Sequence, residues 1–232
     1  IDTILNQKSF LLFVQFTISL KGRTSHNRGA RPFLYFKQKK GEFIMTTKEK
    51  FIEMAKNITR PGIDEMMAWL ETTDFYTAPA STRFHGSKAG GLCAHSITVA
   101  KRMVELANFY APGKYTMDEL MTVSLFHDVC KISTYQVEMR NRKNSAGEWE
   151  QVPFYQFAPK ESVGGDNHGS LSCQRITEHG IRLTQEEYGA VNNHMGVTNP
   201  ANANGVWQCY EMYMLSWLLH VADEAATVID KI

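Results

Sequence analysis

The chain has 232 residues, of which 43% are hydrophobic and 21% are charged. This length is enough for one domain with a sizeable core, and the composition is that of a globular protein rather than a disordered or fibrous one. The formal net charge is +1, but residues 1–44 hold eight Lys or Arg against two acidic residues. The remainder carries 17 basic and 22 acidic residues, a net charge of −5, which argues against a broad surface for long nucleic acid.

Residues 1–44 are predicted to be translated upstream sequence, disordered or loosely structured, rather than part of the working protein. The apolar stretch over residues 9–20 is too short and too interrupted by Gln and Thr to span a bilayer. It is also not followed by the small-residue cleavage site of a signal peptide. Gly41-Glu42 can be back-translated as a purine-rich ribosome-binding sequence before Met45. We therefore expect Met45 to be the true start.

Helical spacing of apolar residues predicts four helices in the next part of the chain, at about residues 46–58, 61–70, 92–110 and 116–131. Pro61 suits the start of the second helix, and Thr116 with Glu119 resembles a capping box at the start of the fourth. Residues 72–91 are rich in Gly and contain Pro79, so a loop is expected there.

The spacing changes over residues 134–157, where Tyr135, Val137 and Met139 alternate with polar residues before a turn-like Asn144-Ser-Ala-Gly147. This pattern predicts a β-hairpin. Helical spacing then returns, and it predicts three more helices at about residues 166–179, 184–195 and 207–231. The predicted fold is all-α, a helical bundle with an inserted hairpin. Residues 45–90 would form an N-terminal helical segment and loop, and residues 91–232 the main domain.

The four cysteines are widely spaced and form no CxxC pair, which makes a disulfide framework or a zinc knuckle unexpected; they are Cys93, Cys130, Cys173 and Cys209. In apolar helical surroundings a free thiol behaves as a small hydrophobic group. A reducing cytoplasm is the predicted location.

Six residues in or near the predicted helices have side chains that bind divalent transition metals: His95, His127, Asp128, His168, His194 and Asp223. Asp223 closes a run that starts at Trp207 and is apolar on nearly every side, as in a buried helix. A buried carboxylate is costly unless it is paired or bound to a metal. We therefore predict a metallo-hydrolase.

Four of these residues come from three predicted helices and would leave coordination positions open for water and substrate. His127 and Asp128 are adjacent and can ligate together, while His95 and Asp223 enter from other helices. His168 and His194 would supply a second metal, with Asp128 as the bridge. Mixed imidazole and carboxylate ligands suit Mn, Fe, Co, Ni or Zn.

Three segments resemble the signature of the HD (histidine-aspartate) metal-dependent phosphohydrolase superfamily: Gly90-Gly-Leu-Cys-Ala-His95-Ser, Leu125-Phe-His127-Asp128-Val-Cys-Lys131 and Leu219-His-Val-Ala-Asp223. His168 and His194 resemble the additional ligands of its binuclear branch. The start of the signature is similar to that of the HD domain of bacterial 3′–5′ exoribonucleases, although no segment here matches the OB-fold module of that family. The resemblance covers about residues 80–232.

The resemblance implies that two metals are bound, one by His95, His127, Asp128 and Asp223 and the other by Asp128, His168 and His194. Asp128 and Lys131 would be the catalytic residues. In the family pattern Lys131 faces the substrate phosphate; otherwise it is a solvated lysine at a helix end. The two metals are expected to be Mn, Fe or another transition metal.

Further polar residues are candidates for binding substrate or supporting ligands: Arg83, His85, Lys88, Lys160 and His220. The first three lie in the loop before His95 and could grip phosphate, or they could simply be an exposed polar loop. Lys160, after the hairpin, is the weakest of the four substrate candidates. His220 lies three residues before Asp223, so it is either a partner that orients a ligand or a packed histidine.

The predicted reaction is hydrolysis of a phosphate ester by a metal-activated hydroxide, on a nucleotide or a short oligonucleotide. Aromatic residues of the hairpin could form a stacking wall for a base, or could simply be packed; they are Tyr135, Trp149, Phe154 and Tyr155. The alternatives are a 3′–5′ exonuclease on single-stranded RNA or DNA, a di-iron HD-type oxygenase, and a binding module without catalysis. No membrane or protein partner is predicted, and the sequence does not indicate the oligomeric state.

Overall fold

The computed structural model describes residues 45–83, 86–158 and 168–232, so the predicted leader, His85 and Lys160 lie outside the described residues. Within these ranges the chain forms eight α-helices, which are α1 Thr47–Ala55, α2 Ile63–Glu71, α3 Gly91–Tyr110, α4 Met117–Phe126, α5 His168–Glu178, α6 Gln185–Asn192, α7 Ala203–Met212 and α8 Met214–Val228. The strands β1 Tyr135–Lys143 and β2 Trp149–Phe157 form one antiparallel sheet. The prediction of a mostly helical fold with an inserted hairpin is confirmed. The predicted division of the chain at residue 90 stays a prediction.

Local hydrogen bonds explain where three of the helices begin. A threonine precedes each of α1, α4 and α6, and its hydroxyl accepts from the backbone N–H of a glutamate three residues later. That glutamate accepts in return from the backbone N–H of the threonine, which completes a capping box. The three pairs are Thr46 with Glu49, Thr116 with Glu119 and Thr184 with Glu187.

Helix α3 lies at the centre of the bundle and packs against α1, α4 and α8. Its side chains Leu92, Val99 and Met103 are fully buried, as are Leu218 and Leu219 of α8. Helix α6 packs against α4, α5 and α8. None of the helices in the described ranges is both long and apolar enough to cross a membrane.

The N-terminal segment is tied to the bundle by a partly buried ion-pair network. Arg60 contacts Asp118 at the start of α4 with Nε 2.5 Å from Oδ1, and contacts Glu187 of α6 with a guanidinium nitrogen 2.6 Å from Oε1. The side chain of Glu187 is only 1% exposed. Because a buried carboxylate needs a counter-ion, Arg60 couples the connection between α1 and α2 to two helices of the bundle.

Two of the predicted helices are interrupted by breaks that the apolar spacing does not predict. Helix α4 stops at Phe126 instead of continuing to Lys131, and a 3-10 helix over Val129–Lys131 follows it. The single helix expected over about 207–231 is divided into α7 and α8 at Tyr213, whose φ of −127° and ψ of 98° are extended. The break packs around Gly189 of α6, where an added Cβ would lie 3.0 Å from Cys209 Sγ and 3.4 Å from the Tyr213 ring.

The hairpin matches the predicted boundaries closely. Tyr135 pairs with Phe157 at its base and Lys143 pairs with Trp149 near its tip. In the turn, Asn144 Oδ1 accepts from the N–H groups of Ala146 and Glu148, both at 3.0 Å. Gly147 has a φ of +83°, a left-handed conformation that glycine adopts without strain.

Candidate metal centre

The structure brings all six predicted ligands together in one cluster. Only His95 of α3 and Asp223 of α8 lie inside a helix; the others lie at helix ends, with His127 and Asp128 directly after α4, His168 at the start of α5 and His194 just after α6. The side chains of His95, His127 and His194 are completely buried. The candidate ligands therefore come from five different parts of the fold.

Asp128 is at the centre of the cluster, and its two oxygen atoms face different histidines. Oδ2 lies 3.4 Å from His127 Nε2 and 3.6 Å from His95 Nε2. Oδ1 lies 2.7 Å from His168 Nε2 and 3.6 Å from His194 Nε2. A carboxylate in this arrangement can bind one cation through each oxygen.

Asp223 completes the group on the Oδ2 side of Asp128. Its Oδ1 lies 2.9 Å from His95 Nε2 and 3.9 Å from His127 Nε2. Ligand atoms of these three residues all lie within 4.8 Å of one another, and the same limit holds for His127, Asp128 and His194. Each group has the separations that ligands of one ion require.

Helix-end carbonyl groups orient two of the rings. His127 Nδ1 donates to the carbonyl of Ser124 at 2.8 Å, and His194 Nδ1 donates to the carbonyl of Val191 at 2.6 Å. Both acceptors belong to the last turn of their helix, where carbonyl groups have no partner within the helix. Because a carbonyl can only accept, the proton of a neutral ring is on Nδ1, and Nε2 keeps the lone pair that binds a metal.

The same two rings test whether the site suits a metal. The Nε2 atoms of His127 and His194 are buried without a hydrogen-bond partner in the part of the chain that the structure describes. An unsatisfied buried polar atom costs about 1–3 kcal/mol, so two of them side by side need an explanation. Coordination to a transition metal would satisfy both nitrogen atoms, and the donor set fits such an ion.

The charges of the cluster favour ionised carboxylates and a neutral His168. Burial alone would raise the pKa of Asp128, but the Lys131 ammonium, with Nζ 2.6 Å from Oδ2, and the His127 ring outweigh it and hold that pKa well below its ordinary value. Burial also opposes ionisation of Asp223, yet the adjacent His95 ring lowers its pKa. Burial lowers the pKa of His168 in spite of its contact with Asp128. These are the protonation states that metal ligands need.

Cys130 also lies within ligand distance of Asp128 and His168. Burial raises the pKa of its thiol to about 12, and the Asp128 charge adds to this effect. The thiolate is the form that binds metals, so Cys130 is better explained as a core residue. Cys93, Cys173 and Cys209 are also free thiols, in agreement with the prediction that no disulfide framework exists.

The other predicted site residues have different positions. Arg83 and Lys88 are exposed, and within the described ranges neither side chain forms a hydrogen bond or ion pair with the metal cluster. His220 donates from Nδ1 to the carbonyl of His194 at 2.8 Å, and its ring stacks on Tyr210. His220 therefore contacts the backbone of the ligand His194 and not its ring. Its role in orienting a ligand stays a prediction.

The four hairpin aromatics cannot form a single wall beside the metal cluster. The register places Phe154 opposite Glu138, on the other face of the hairpin from Tyr135, and its ring lies under Arg140 at 3.6 Å. Trp149 is eight residues along the strand from Phe157, the partner of Tyr135, or about 26 Å away. Tyr135 is the one of these four that interacts electrostatically with the Lys131 ammonium among the interactions of the described residues.

Three features of the site were not identified from the sequence. The carbonyl of Ile232 accepts from His95 Nδ1 at 3.3 Å. Gly169 allows α5 to approach the end of α6, because an added Cβ would lie 2.2 Å from the carbonyl oxygen of Asn192. Ser133 has a φ of +58° beside the 3-10 helix. Of these three features, only Gly169 could have been noticed in the sequence. Glycine is unfavourable inside a helix, so its place directly after His168 indicates a close packing contact.

Comparisons of the chain with protein-family models, with curated proteins and with solved structures found no match.

Proposed function

We propose that this chain is a metal-dependent phosphohydrolase of the HD type, with two metals and a nucleotide or short oligonucleotide as substrate. The observation that carries the proposal is the central position of Asp128, with His95 and His127 at one oxygen and His168 and His194 at the other. Six potential ligands from five different parts of the fold meet there. A cluster of this composition is typical of hydrolytic metal centres.

In this proposal one metal is held by His95, His127, Asp128 and Asp223, and the other by Asp128, His168 and His194. Bound divalent metals would lower the pKa of water and neutralise charge on a phosphoryl oxygen. The buried, oriented imidazoles keep their Nε2 atoms available, and Asp128 links the two halves of the ligand set.

The charge of the cluster also supports a phosphate substrate. Apart from the imidazoles, the cluster holds two carboxylates and one ammonium, which leave a single net negative charge. Two divalent cations would make the site strongly positive, which favours a phosphate dianion. Lys131 would then donate from Nζ to a phosphoryl oxygen and stabilise the charge that develops during the transfer.

The pattern of exposure indicates from which side a substrate approaches. His95, His127 and His194 are fully buried, whereas the side chains of Lys131, Asp223 and His168 are 12%, 15% and 16% exposed. The least buried side of the cluster is therefore formed by Lys131, Asp223 and His168. Buried walls on the remaining sides limit the access of bulk water, which strengthens electrostatic interactions.

The base of the hairpin supplies two aromatic rings, one of which belongs to Tyr135, whose phenol interacts electrostatically with the Lys131 ammonium. The rings of Tyr135 and Phe157 lie 5.5 Å apart at an angle of 31°, and Phe157 is 53% exposed. Because Tyr135 interacts with Lys131, a phosphate bound by Lys131 would bring the rest of a substrate towards these rings. Stacking on aromatic faces accepts any base, which supports a nucleotide rather than a simple phosphate ester.

The test is a screen of nucleotides, cyclic dinucleotides and short oligonucleotides with added Mn²⁺, in which Asp128→Ala serves as the blank. We expect phosphate release or phosphodiester cleavage by the wild type and its loss in Asp128→Ala. Asp64→Ala, which removes an exposed carboxylate at the start of α2, should keep the wild-type rate. Equal rates in the wild type and Asp128→Ala would reject the proposal.

The same screen separates the alternatives. Stepwise shortening of single-stranded oligonucleotides with no reaction of mononucleotides would indicate an exonuclease. On the hairpin, Arg140 pairs with Glu138 and Arg142 pairs with Glu150, so these arginines do not form the unpaired basic track that strand binding favours. A requirement for iron and oxygen would indicate the oxygenase. Both alternatives stay predictions.

A further inference from the structure

We infer that Asp230–Ile232, the segment after α8, is a positioning element for the metal ligand His95, and that Arg102 holds this segment in place. The inference rests on the metal centre proposed above and assigns it a support that lies outside the ligand set. It starts from the hydrogen bond from His95 Nδ1 to the carbonyl of Ile232, two residues that are 137 positions apart.

His95 needs a distant acceptor because of its place in the helix. His127 and His194 lie beyond the ends of their helices and use a carbonyl of the last turn. His95 is the fifth residue of the 20-residue helix α3, where nearby carbonyl groups already accept from helix N–H groups. Its Nδ1 proton must therefore find a partner from elsewhere in the fold, and Ile232 provides one.

Arg102 anchors the segment two residues before that carbonyl. Its Nε donates to Asp230 Oδ2 at 2.8 Å, and a terminal nitrogen donates to Oδ1 at 2.6 Å. Two parallel bonds from a guanidinium to one carboxylate fix direction as well as distance. A second carboxylate, Glu105, accepts from the other terminal nitrogen at 2.8 Å, but it belongs to α3 itself and does not hold the segment.

The dimensions of α3 match this arrangement. His95 and Arg102 are seven residues apart, which is two turns, so they lie on one face of the helix about 10 Å apart along its axis. From Asp230 to Ile232 the chain can extend roughly 7 Å, and the Arg102 side chain covers the remaining distance. The segment thus runs along α3 from Arg102 back to His95.

The backbone of the segment includes a residue in a sparsely populated conformation. Lys231 has a φ of +57°, and only Ser133 shares this left-handed region among the described non-glycine residues. The N–H of Ile232 donates to the carbonyl of Ala226 at 3.3 Å. A strained residue between two anchored neighbours is typical of a segment whose position serves a site.

The consequence is that His95 is held with its proton on Nδ1 and with Nε2 directed at the ligand cluster, 2.9 Å from Asp223 Oδ1. Partners that orient a metal-binding histidine typically change metal affinity by about 10–100-fold when they are removed. Loss of the Arg102–Asp230 pair should therefore weaken the metal site that contains His95, although neither residue is a ligand.

The test compares zinc binding by the full chain and its variants, by competition with a chromophoric chelator. Arg102→Met and Asp230→Asn should each weaken the site that contains His95 by about tenfold or more, and the double variant should be no weaker than either single one. Arg102→Lys should recover part of the affinity. Glu105→Gln, which removes only the second partner of Arg102, should bind zinc as the wild type does.

A second readout uses long-range ¹H–¹⁵N spectra of the zinc-loaded protein. The wild type should show His95 protonated at Nδ1 in one environment, and Asp230→Asn should show that signal broadened or shifted. Wild-type affinity and an unchanged His95 signal in both Asp230→Asn and Arg102→Met would overturn the inference. If the wild type bound no zinc, the proposed metal centre would itself be rejected. If instead the wild type bound zinc and the substitutions at Arg102 and Asp230 had no effect, only the positioning role would be rejected.

Discussion

Substituting Gly169 by alanine should selectively damage the half of the proposed metal centre that His168 and His194 form. An added Cβ at this position would lie 2.2 Å from the carbonyl oxygen of Asn192 and 2.6 Å from that of Val191. The start of α5 and the end of α6 would have to separate by about 1 Å or more to reach ordinary contact. Val191 is also the acceptor that orients His194.

The expected effect on metal binding follows from the distances. His168 Nε2 lies 2.7 Å from Asp128 Oδ1, and metal ligands tolerate displacements of only about 0.2 Å. Gly169→Ala should therefore reduce the metal content from about two ions per chain to about one. Overpacking should also lower the free energy of unfolding by about 1–3 kcal/mol. For a chain of this size, the melting temperature changes by about 2–4 °C for each kcal/mol.

Metal content after equilibrium dialysis against Mn²⁺ or Zn²⁺, together with thermal unfolding, measures both effects. Gly205→Ala is the matched control, because a Cβ at this helical glycine of α7 meets no atom within 4 Å. It should keep both metals and be unchanged or more stable by up to about 1 kcal/mol. Two tightly bound metals in Gly169→Ala would refute the reasoning, since His168 and His194 would then not depend on this close approach.

Four other changes have definite expected outcomes. Lys131→Met should lower kcat for phosphate hydrolysis by about 10²-fold without weakening metal binding, and unchanged steady-state kinetics would exclude a role on phosphate. Arg60→Met should destabilise the fold by about 3–5 kcal/mol in urea unfolding, because Glu187 stays buried without its cation; adding Glu187→Gln should recover part of this loss. Burial opposes ionisation of Asp118, but hydrogen bonds from Thr59 and Arg60 lower its pKa. Its stabilising effect is therefore complete above the unfolded pKa of about 3.9 and is lost as the pH falls through the lower folded value. The free energy of unfolding of Asp118→Asn should accordingly fall less steeply with decreasing pH than that of the wild type, as measured by urea unfolding at a series of acidic pH values. Zinc at about 100 times its Kd should raise the free energy of unfolding by about 2.7 kcal/mol in the wild type and by far less in Asp128→Ala.

Features that depend on neighbouring residues were predicted well. The capping box at Thr116 forms from groups only three residues apart, and the alternation after Tyr135 predicts the hairpin because side chains alternate between the faces of a strand. The candidate ligands were recognised by residue type and by resemblance to a family signature. Local chemistry of this kind is present in the chain before it folds.

Features that depend on distant residues were missed. The apolar spacing does not end at Phe126 or at Tyr213, yet both helices stop there. The first break allows the His127 ring to donate a hydrogen bond to the carbonyl of Ser124. The second break packs around Gly189 of another helix. The spacing also favoured Asp223 as the buried carboxylate, whereas Asp128 is the more enclosed of the two, with 2% of its side chain exposed against 15%.

The amino-acid sequence by itself determined the helical elements, the hairpin and a set of residues able to bind metal, because these follow from local hydrogen bonding, periodicity and the chemistry of single side chains. Only the tertiary structure decided that the two oxygens of Asp128 face different histidines and that Ile232 reaches His95. Such contacts are set by the packing of helices that are distant in the chain, and the positions of metal-binding atoms follow from that packing.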